Sequence, residues 1–233
     1  PELIERPGYI AQHFSLEVRD GDVIGVEKIV ALFTSRDPGI SEPLGAALTL
    51  AADAAPFDGL LRRHETSWNH LWRRMRIDIG ADGEVERLLH LHQLHLLQTV
   101  SNKSIGNDVG VPARGLHGEA YRGHIFWDEL FVFPFLSLRF PQLTRSLLLY
   151  RHRRMDQARR GAAAAGFRGA MFPWQSASDG SEQTQTMHLN PVSQRWLPDS
   201  SHLQRHVNAA IVVNIWQYYE ATGDLEFLRF FGA

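Results

Sequence analysis

The hydrophobic pattern of the chain changes period once. Between residues 8 and 36 the apolar positions either alternate or gather in β-branched runs. Ile10–Val18 alternates roughly by two, Arg19–Asp22 reads as a turn, and Val23–Phe33 predicts a second strand. Two strands do not make a stable sheet by themselves, so this stretch reads as the tail of an antiparallel sheet. Pro38, Gly39, Pro43 and Gly45 interrupt it, and from there the period is helical. Leu44–Ala55 is rich in alanine, and Phe57–Trp72 brings Leu60, Leu61, His64, Trp68, Leu71 and Trp72 near one face. From Glu84 onward no strand stands out. Val85–Val100 is apolar on more than one side, which predicts a helix buried by neighbours. Leu130–Arg139, Pro141–Ala165, His202–Thr222 and Leu225–Phe231 complete the helical set. Residues 166–201 have no period, yet they hold Phe172, Pro173, Trp174, Trp196 and Pro198, which argues for an ordered functional loop rather than disorder. Helices alternating with such loops predict a mainly α chain arranged as part of an (α/α) toroid, with its site at one mouth. About five helices follow residue 84, roughly half of a closed double ring.

Composition narrows the class. The chain has 233 residues, 44% hydrophobic and 21% charged, as in ordinary globular proteins. A net charge near −2 gives no electrostatic case for nucleic acid or an anionic membrane. No cysteine is present, so disulfides and thiolate metal sites are excluded. No apolar run reaches the roughly 18 residues of a spanning helix, and no signal-peptide pattern opens the chain. Pro1 stands where an initiator Met would, so the sequence is expected to begin inside a longer protein.

The candidate chemistry lies in residues 110–134. Five glycines and prolines space Arg114, His117, Glu119, Arg122 and His124, and then the chain turns aromatic through Phe126, Trp127, Leu130, Phe131 and Phe133. A polar loop running into a buried helix presents a site at the rim of a scaffold. Trp127-Asp128 sits at the junction. An indole can cover the C–H face of a sugar while a carboxylate accepts from two hydroxyls. The plainer alternative is a core tryptophan followed by an aspartate serving a helix dipole. Phe172-Pro-Trp174-Gln-Ser176 offers a second indole, which could floor a sugar subsite or simply pin the loop. Glu119, Asp128, Glu129, Asp179, Glu182 and Asp199 are the nearby carboxylates, and spacing singles out none as a general acid. Glu119 and Glu182 read as groups behind the site or in solvent. His90, His92 and His95 share a helix without a matching ligand set, so no metal is expected. His202 and His206 lie four apart, and a site-facing His202 competes with a core role. There is no dinucleotide fingerprint, phosphate loop or nucleophile elbow.

The stretch Pro112–Asp128 resembles the signature of glycoside hydrolase family 65, the maltose, trehalose and kojibiose phosphorylases. The similarity continues through Leu148-Leu-Tyr-Arg151, through Gly169-Ala-Met-Phe-Pro-Trp-Gln-Ser176 with Asp179, Gly180 and Glu182, and through Trp216–Asp224. Glu27-Lys28 and Trp68–Trp72 match the family's earlier regions. Two departures are visible: Glu129-Leu-Phe follows Asp128, one residue shorter than the Thr-Glu-Ile-Phe of many members, and Gln175 stands where many have Glu. Both suggest a divergent subgroup.

The resemblance implies the last strands of an N-terminal β-sandwich in 1–36, a helical linker in 37–80, and the first half of an (α/α)6 barrel in 81–233. It implies inverting phosphorolysis of an α-glucosidic disaccharide of the trehalose, maltose or kojibiose type. Inorganic phosphate would be the co-substrate, there would be no other cofactor, and β-glucose 1-phosphate would be the product. A hydrolase of the same family, or a non-catalytic carbohydrate-binding segment, are the alternatives. The expected sugar-contacting set is Tyr121, Arg122, His124, Trp127, Asp128, Trp174 and Glu182. The family's general acid belongs to a later Asp-Glu-Tyr-like motif, absent from these residues, so it is expected beyond Ala233. The chain alone is therefore expected to be inactive and to expose apolar helix faces. A cytoplasmic location, a homodimer when complete, and no nucleic-acid or membrane partner are also expected.

Overall fold

The computed structural model describes residues 2–80, 82–115 and 120–232. His117 and Glu119, two of the loop's ionisable residues, lie outside them. The chain is mainly helical, with two small hairpins. The strands β1 (Glu2–Arg6) and β2 (Tyr9–His13) pair antiparallel, with Ile4 opposite Ala11. The turn between them falls at Pro7-Gly8, and Gly8 takes a φ of 73° that favours glycine. This corrects the expected strands at 10–18 and 23–33: only the first part of the former pairs, and the latter forms no strand. Val23–Phe33 has β propensity but no neighbouring strand among the described residues to take its backbone groups, and Val23 is 98% exposed.

Helix α1 spans Pro43–Ala52 and is capped by Glu42, whose carboxylate accepts from the Leu44 and Gly45 N–H groups. Helix α2 (Phe57–Met75) runs three residues past the expected end at Trp72, carrying Arg73 and Arg74 in its last turn. Helix α3 (Gly83–Thr99) starts at an Asp82 cap. Then come α4 (Glu129–Arg139), α5 (Pro141–His152) and α6 (Met155–Ala164). The expected single helix from Pro141 to Ala165 is thus broken at Arg153-Arg154. Arg154 departs from helical geometry, and its guanidinium turns back onto the Tyr150 carbonyl at 2.8 Å.

The long loop expected to be without strands contains β3 (Met187–Asn190) paired with β4 (Arg195–Pro198). Its turn is local chemistry: the Asn190 side chain accepts from the Val192 and Ser193 N–H groups at 2.9 and 3.0 Å. Helix α7 is Val207–Thr222, five residues later than His202, because Asp199 and Arg205 hold residues 199–205 in a tight turn instead. Helix α8 (Leu225–Phe231) follows the left-handed Gly223, whose φ is 66°.

Helix α4 packs most extensively on α7 and then on α5, so these three form the centre. Phe133, Leu136, Phe140, Leu143, Leu147 and Phe227 are almost wholly buried there, with Met75 of α2 and Leu97 of α3 joining them. A second, smaller cluster of Ala158, Phe172, Val207 and Ile211 packs against Trp127 and Trp174. No single helix among the described residues is long and apolar enough to cross a membrane.

Asp224 closes the far end of this core. Its carboxylate caps α8 by accepting from the Phe227 N–H at 2.9 Å, and it also accepts from Arg145 at 3.1 Å and the Tyr218 hydroxyl at 2.8 Å. Burial alone would raise its pKa, but these three donors outweigh it and hold the carboxyl below the usual range. Burial and the Asp224 charge push the Tyr218 phenol up to about 12. A depressed acid contributes stability that is full above the ordinary aspartate pKa and is lost as the pH falls through the lower, folded value. Asp224→Ala should therefore lower unfolding free energy by about 1–2 kcal/mol at neutral pH. Urea denaturation should show that difference shrinking in acid below about pH 4.

Candidate active site

Three loop segments meet beside α4. Residues 110–115, 120–128 and 172–182 run next to one another as a short ribbon, with Pro112 opposite Ile125, Ile125 opposite Ser176, and Ser176 opposite Glu182. The Ile125 and Ser176 backbones exchange two hydrogen bonds of 3.1 and 2.9 Å. Isolated strips of this kind need side chains to fix them to the scaffold.

Two arginines do so. Arg151 of α5 is 2% exposed; its Nη2 lies 3.0 Å from the Glu129 carboxylate and donates to the Phe126 carbonyl at 2.6 Å. Glu129 is 1% exposed and accepts from the Val111 N–H at 3.2 Å. Burial pushes the Glu129 carboxyl upward, and the Arg151 guanidinium and the Val111 N–H pull against it. Gly110 is needed beside this pair, since a Cβ there would meet Glu129 Oε1 at 2.8 Å. Arg154 holds the other strip. It donates to Asp108 at 2.8 Å and to the Ser178 carbonyl, and it stacks 3.7 Å over the Tyr150 ring. The Tyr150 hydroxyl in turn donates to the Ala177 carbonyl at 2.6 Å. Glu129, one of the nearby carboxylates in the sequence, is thus a buried strut and is closed to any ligand.

On this frame the rings form a connected set. Trp127 and Trp174 have centroids 6.1 Å apart and tilt 44° to one another. Phe126 stands edge-on to Trp174 at 5.5 Å, and Tyr121 edge-on to Phe126 at 5.1 Å. Asp128 occupies the N-cap position of α4, yet its side chain makes no cap hydrogen bond. It is half-buried beside Trp127, and burial raises its pKa. A half-buried carboxylate that meets only its own backbone N–H among the described residues can accept hydroxyl groups, which a capping aspartate could not do as freely.

The other expected sugar-contacting residues divide. Glu182 places both oxygens on the loop itself: they accept from the Trp174 N–H at 2.8 Å, the Gln175 N–H at 3.1 Å and the Thr184 hydroxyl at 2.6 Å. Its bonds fix the position of Trp174 and leave no oxygen aimed away from the loop. Gln175 Nε2 and His124 Nδ1 are 2.8 Å apart. An amide N–H donating there leaves the His124 proton on Nε2. Burial first, and then Arg122, lower the His124 pKa and favour that neutral form. Tyr121, Arg122 and Gly123 lie consecutively in left-handed backbone, with φ of 55°, 53° and 69°. Strain in two non-glycine residues side by side is the kind that gathers at functional sites. Arg122 and His124 line an open cleft of about 520 Å³ with Arg36 and Asp108, which does not include Trp127, Asp128 or Trp174. His202 is turned to the Asp199 carbonyl at 3.0 Å. His206, four residues on, is the histidine that reaches the indoles. The spacing of the pair was visible in the sequence, but the turn that selects His206 was not.

The model of the glycosyl hydrolase family 65 central catalytic domain matches residues 90–233, and that of the family's N-terminal domain matches residues 2–71. The chain belongs to glycosyl hydrolase family 65. It is 50% identical over 213 residues to an uncharacterised glycosyl hydrolase of Mycobacterium tuberculosis, covering 91% of this chain and 16% of that protein. It is 36% identical to a trehalose 6-phosphate phosphorylase of Lactococcus lactis, covering 94% of this chain and 28% of that enzyme. A kojibiose hydrolase of Flavobacterium johnsoniae is 33% identical, with 98% and 32% covered. A candidate kojibiose phosphorylase from the human microbiome shares the fold, with a TM-score of 0.61 at 22% identity over 81% of this chain and 24% of that one. The chain thus spans between 16% and 32% of the length of these relatives. As a family 65 member it has both phosphorylases and hydrolases among its relatives.

The Glu129–Arg151 pair gives a stability test of the frame. Arg151→Met leaves Glu129 buried without its cation and should cost about 3–5 kcal/mol. Glu129→Leu combined with Arg151→Met should recover much of that loss in chemical denaturation. Equal losses in the single and double variants would show that the pair does not hold the loops.

Proposed function

We propose that the full-length protein is a glycoside phosphorylase that splits an α-glucosidic disaccharide with inversion, giving β-glucose 1-phosphate and a free acceptor sugar. The observation that carries this reading is the half-buried carboxylate of Asp128, which makes no cap hydrogen bond and has no other residue as partner among the described ones, beside the Trp127–Trp174 pair. The indoles cover the C–H face of the glucosyl unit, and Asp128 accepts from two of its hydroxyls. A phosphate oxygen forms the new bond to C1 while the glycosidic C–O bond breaks, and a carboxylic acid supplies the proton that the leaving oxygen takes. Phosphate carries its own negative charge, so the base that an inverting hydrolase requires to activate water is unnecessary. We assign the acid and the phosphate site to residues outside this chain.

Hydrolysis is the second reading, favoured by the similarity to a kojibiose hydrolase. The two separate cleanly when the full-length protein is incubated with trehalose, maltose, kojibiose and trehalose 6-phosphate, with and without phosphate. Phosphorolysis requires turnover that depends on phosphate and releases glucose 1-phosphate; turnover indifferent to phosphate supports the hydrolase. The 233-residue chain by itself should show neither activity.

Asp128→Asn keeps the shape of the side chain and removes charge-assisted hydrogen bonds worth about 1.5–3 kcal/mol each. In the full-length enzyme kcat/KM should fall at least about tenfold. Because burial raises the Asp128 pKa, the folded state holds the proton more tightly than the unfolded chain does. The ionised group therefore costs stability above that pKa, and Asp128→Asn should leave the melting temperature unchanged or slightly higher at neutral pH. The wild-type rate should decline as the pH falls through the raised pKa. A variant with normal kinetics and a lowered melting temperature would return Asp128 to a purely helical role.

A further inference from the structure

His206 has no assigned role, and the structure puts it where the two indoles converge. It is the last residue before α7, and its ring makes no hydrogen bond with a described residue. Its imidazole lies 4.7 Å from the Trp127 ring at 84° and 5.0 Å from the Trp174 ring at 53°. The residue is nevertheless exposed. A histidine packed on two aromatic rings that still reaches water has apolar contact on one side and a free polar edge on the other.

The backbone around it is tightly placed. Val207 is fully buried, and the His206 carbonyl accepts from the Ala210 N–H at 3.0 Å. Asn208 accepts from the Phe172 N–H at 2.7 Å, which ties the start of α7 to the segment two residues before Trp174. Packing of α7 on α4 brings the same end of α7 to Trp127. His206 is therefore held against both loops that supply the indoles, and its ring nitrogens have no hydrogen-bond partner among the described residues.

We propose that His206 is a third wall of the sugar subsite, contacting the glucosyl unit through a hydrogen bond from its exposed ring edge to one hydroxyl. This rests on the reading of Trp127, Asp128 and Trp174 as that subsite. The indoles recognise only the apolar face of a pyranose, and Asp128 can serve two hydroxyls. A nitrogen presented from α7 adds a contact to another part of the ring, and that contact distinguishes glucose from a sugar lacking the hydroxyl.

The test is equilibrium binding of D-glucose and of its 2-, 3-, 4- and 6-deoxy analogues to the full-length protein, followed by tryptophan fluorescence. The wild type is compared with His206→Phe, which keeps an aromatic ring against both indoles but has no nitrogen. The expected result is glucose affinity lowered about fivefold or more in His206→Phe, with one deoxy sugar binding both proteins alike because the contacted hydroxyl is already missing. Equal glucose affinity in the two proteins overturns the proposal while leaving the subsite in place. So does a loss of the same size for every sugar, which would make His206 a packing residue. Absence of saturable glucose binding by the wild type overturns the subsite itself.

Discussion

The buried ion pair between Glu129 and Arg151 is the contact on which the site depends. It joins α4 to α5, and through the Val111 N–H and the Phe126 carbonyl it carries the two sides of the 110–128 loop. Trp127 and Asp128 lie between the Phe126 carbonyl it holds and the carboxylate it neutralises. Two charges taken out of water are costly, and a buried pair is seldom a net source of stability compared with apolar packing. Its contribution is placement. The arginine has no low-energy alternative to the partners it has, so the residues on either side of the indole and the carboxylate are held in one arrangement.

A second anchor of the same kind sits a helical turn further on. Arg154 lies in the break between α5 and α6, stacks on Tyr150, and binds Asp108 and the Ser178 carbonyl. Asp108 is held below the ordinary carboxylate range: burial opposes this, and the Arg154 and Arg153 guanidiniums prevail. Gly180 packs where any Cβ would strike the Arg154 stem at 2.9 Å. The break after His152 thus lets the last turn of α5 and the cap of α6 serve two loops. Arg151 faces one of them and Arg154 the other, three residues apart and both buried.

How much of this was legible depended on the range of the interactions. The helical periods of Phe57–Trp72 and Leu130–Arg139 come from one-sided burial, and they appear in the structure with ends shifted by a few residues. Val85–Val100 is also a helix, but the burial expected on more than one side is not met among the described residues, where Leu97 is buried and Val85, Leu88 and Leu91 are exposed. The strand expected at Val23–Phe33 failed because β propensity describes a surface that fits a neighbour, and no neighbour among the described residues accepts it. The β3–β4 hairpin was missed because its turn is built by Asn190 over two local N–H groups, with no alternating pattern to announce it. At the site, Trp127-Asp128 and Trp174 stood out as residue types. The function of Glu129 did not, because nothing near it in the chain indicates a guanidinium arriving from 22 positions away. His206 was hidden for the same reason: its meaning lies in two rings brought from other loops.

Membership of family 65 connects this geometry to proteins that split glucosidic bonds with phosphate and to others that use water. The described residues of this chain bring together two indoles, a carboxylate that caps no helix and a frame of buried arginines. The central claim is that these form the seat of the glucosyl unit, and a crystal structure of the full-length protein soaked in glucose tests it most directly. The account predicts a pyranose with its C–H face on the Trp127 and Trp174 rings and both Asp128 oxygens within hydrogen-bond distance of hydroxyls. Glucose seated instead in the cleft lined by Arg36, Asp108 and Arg122, with the indoles bare, would contradict it.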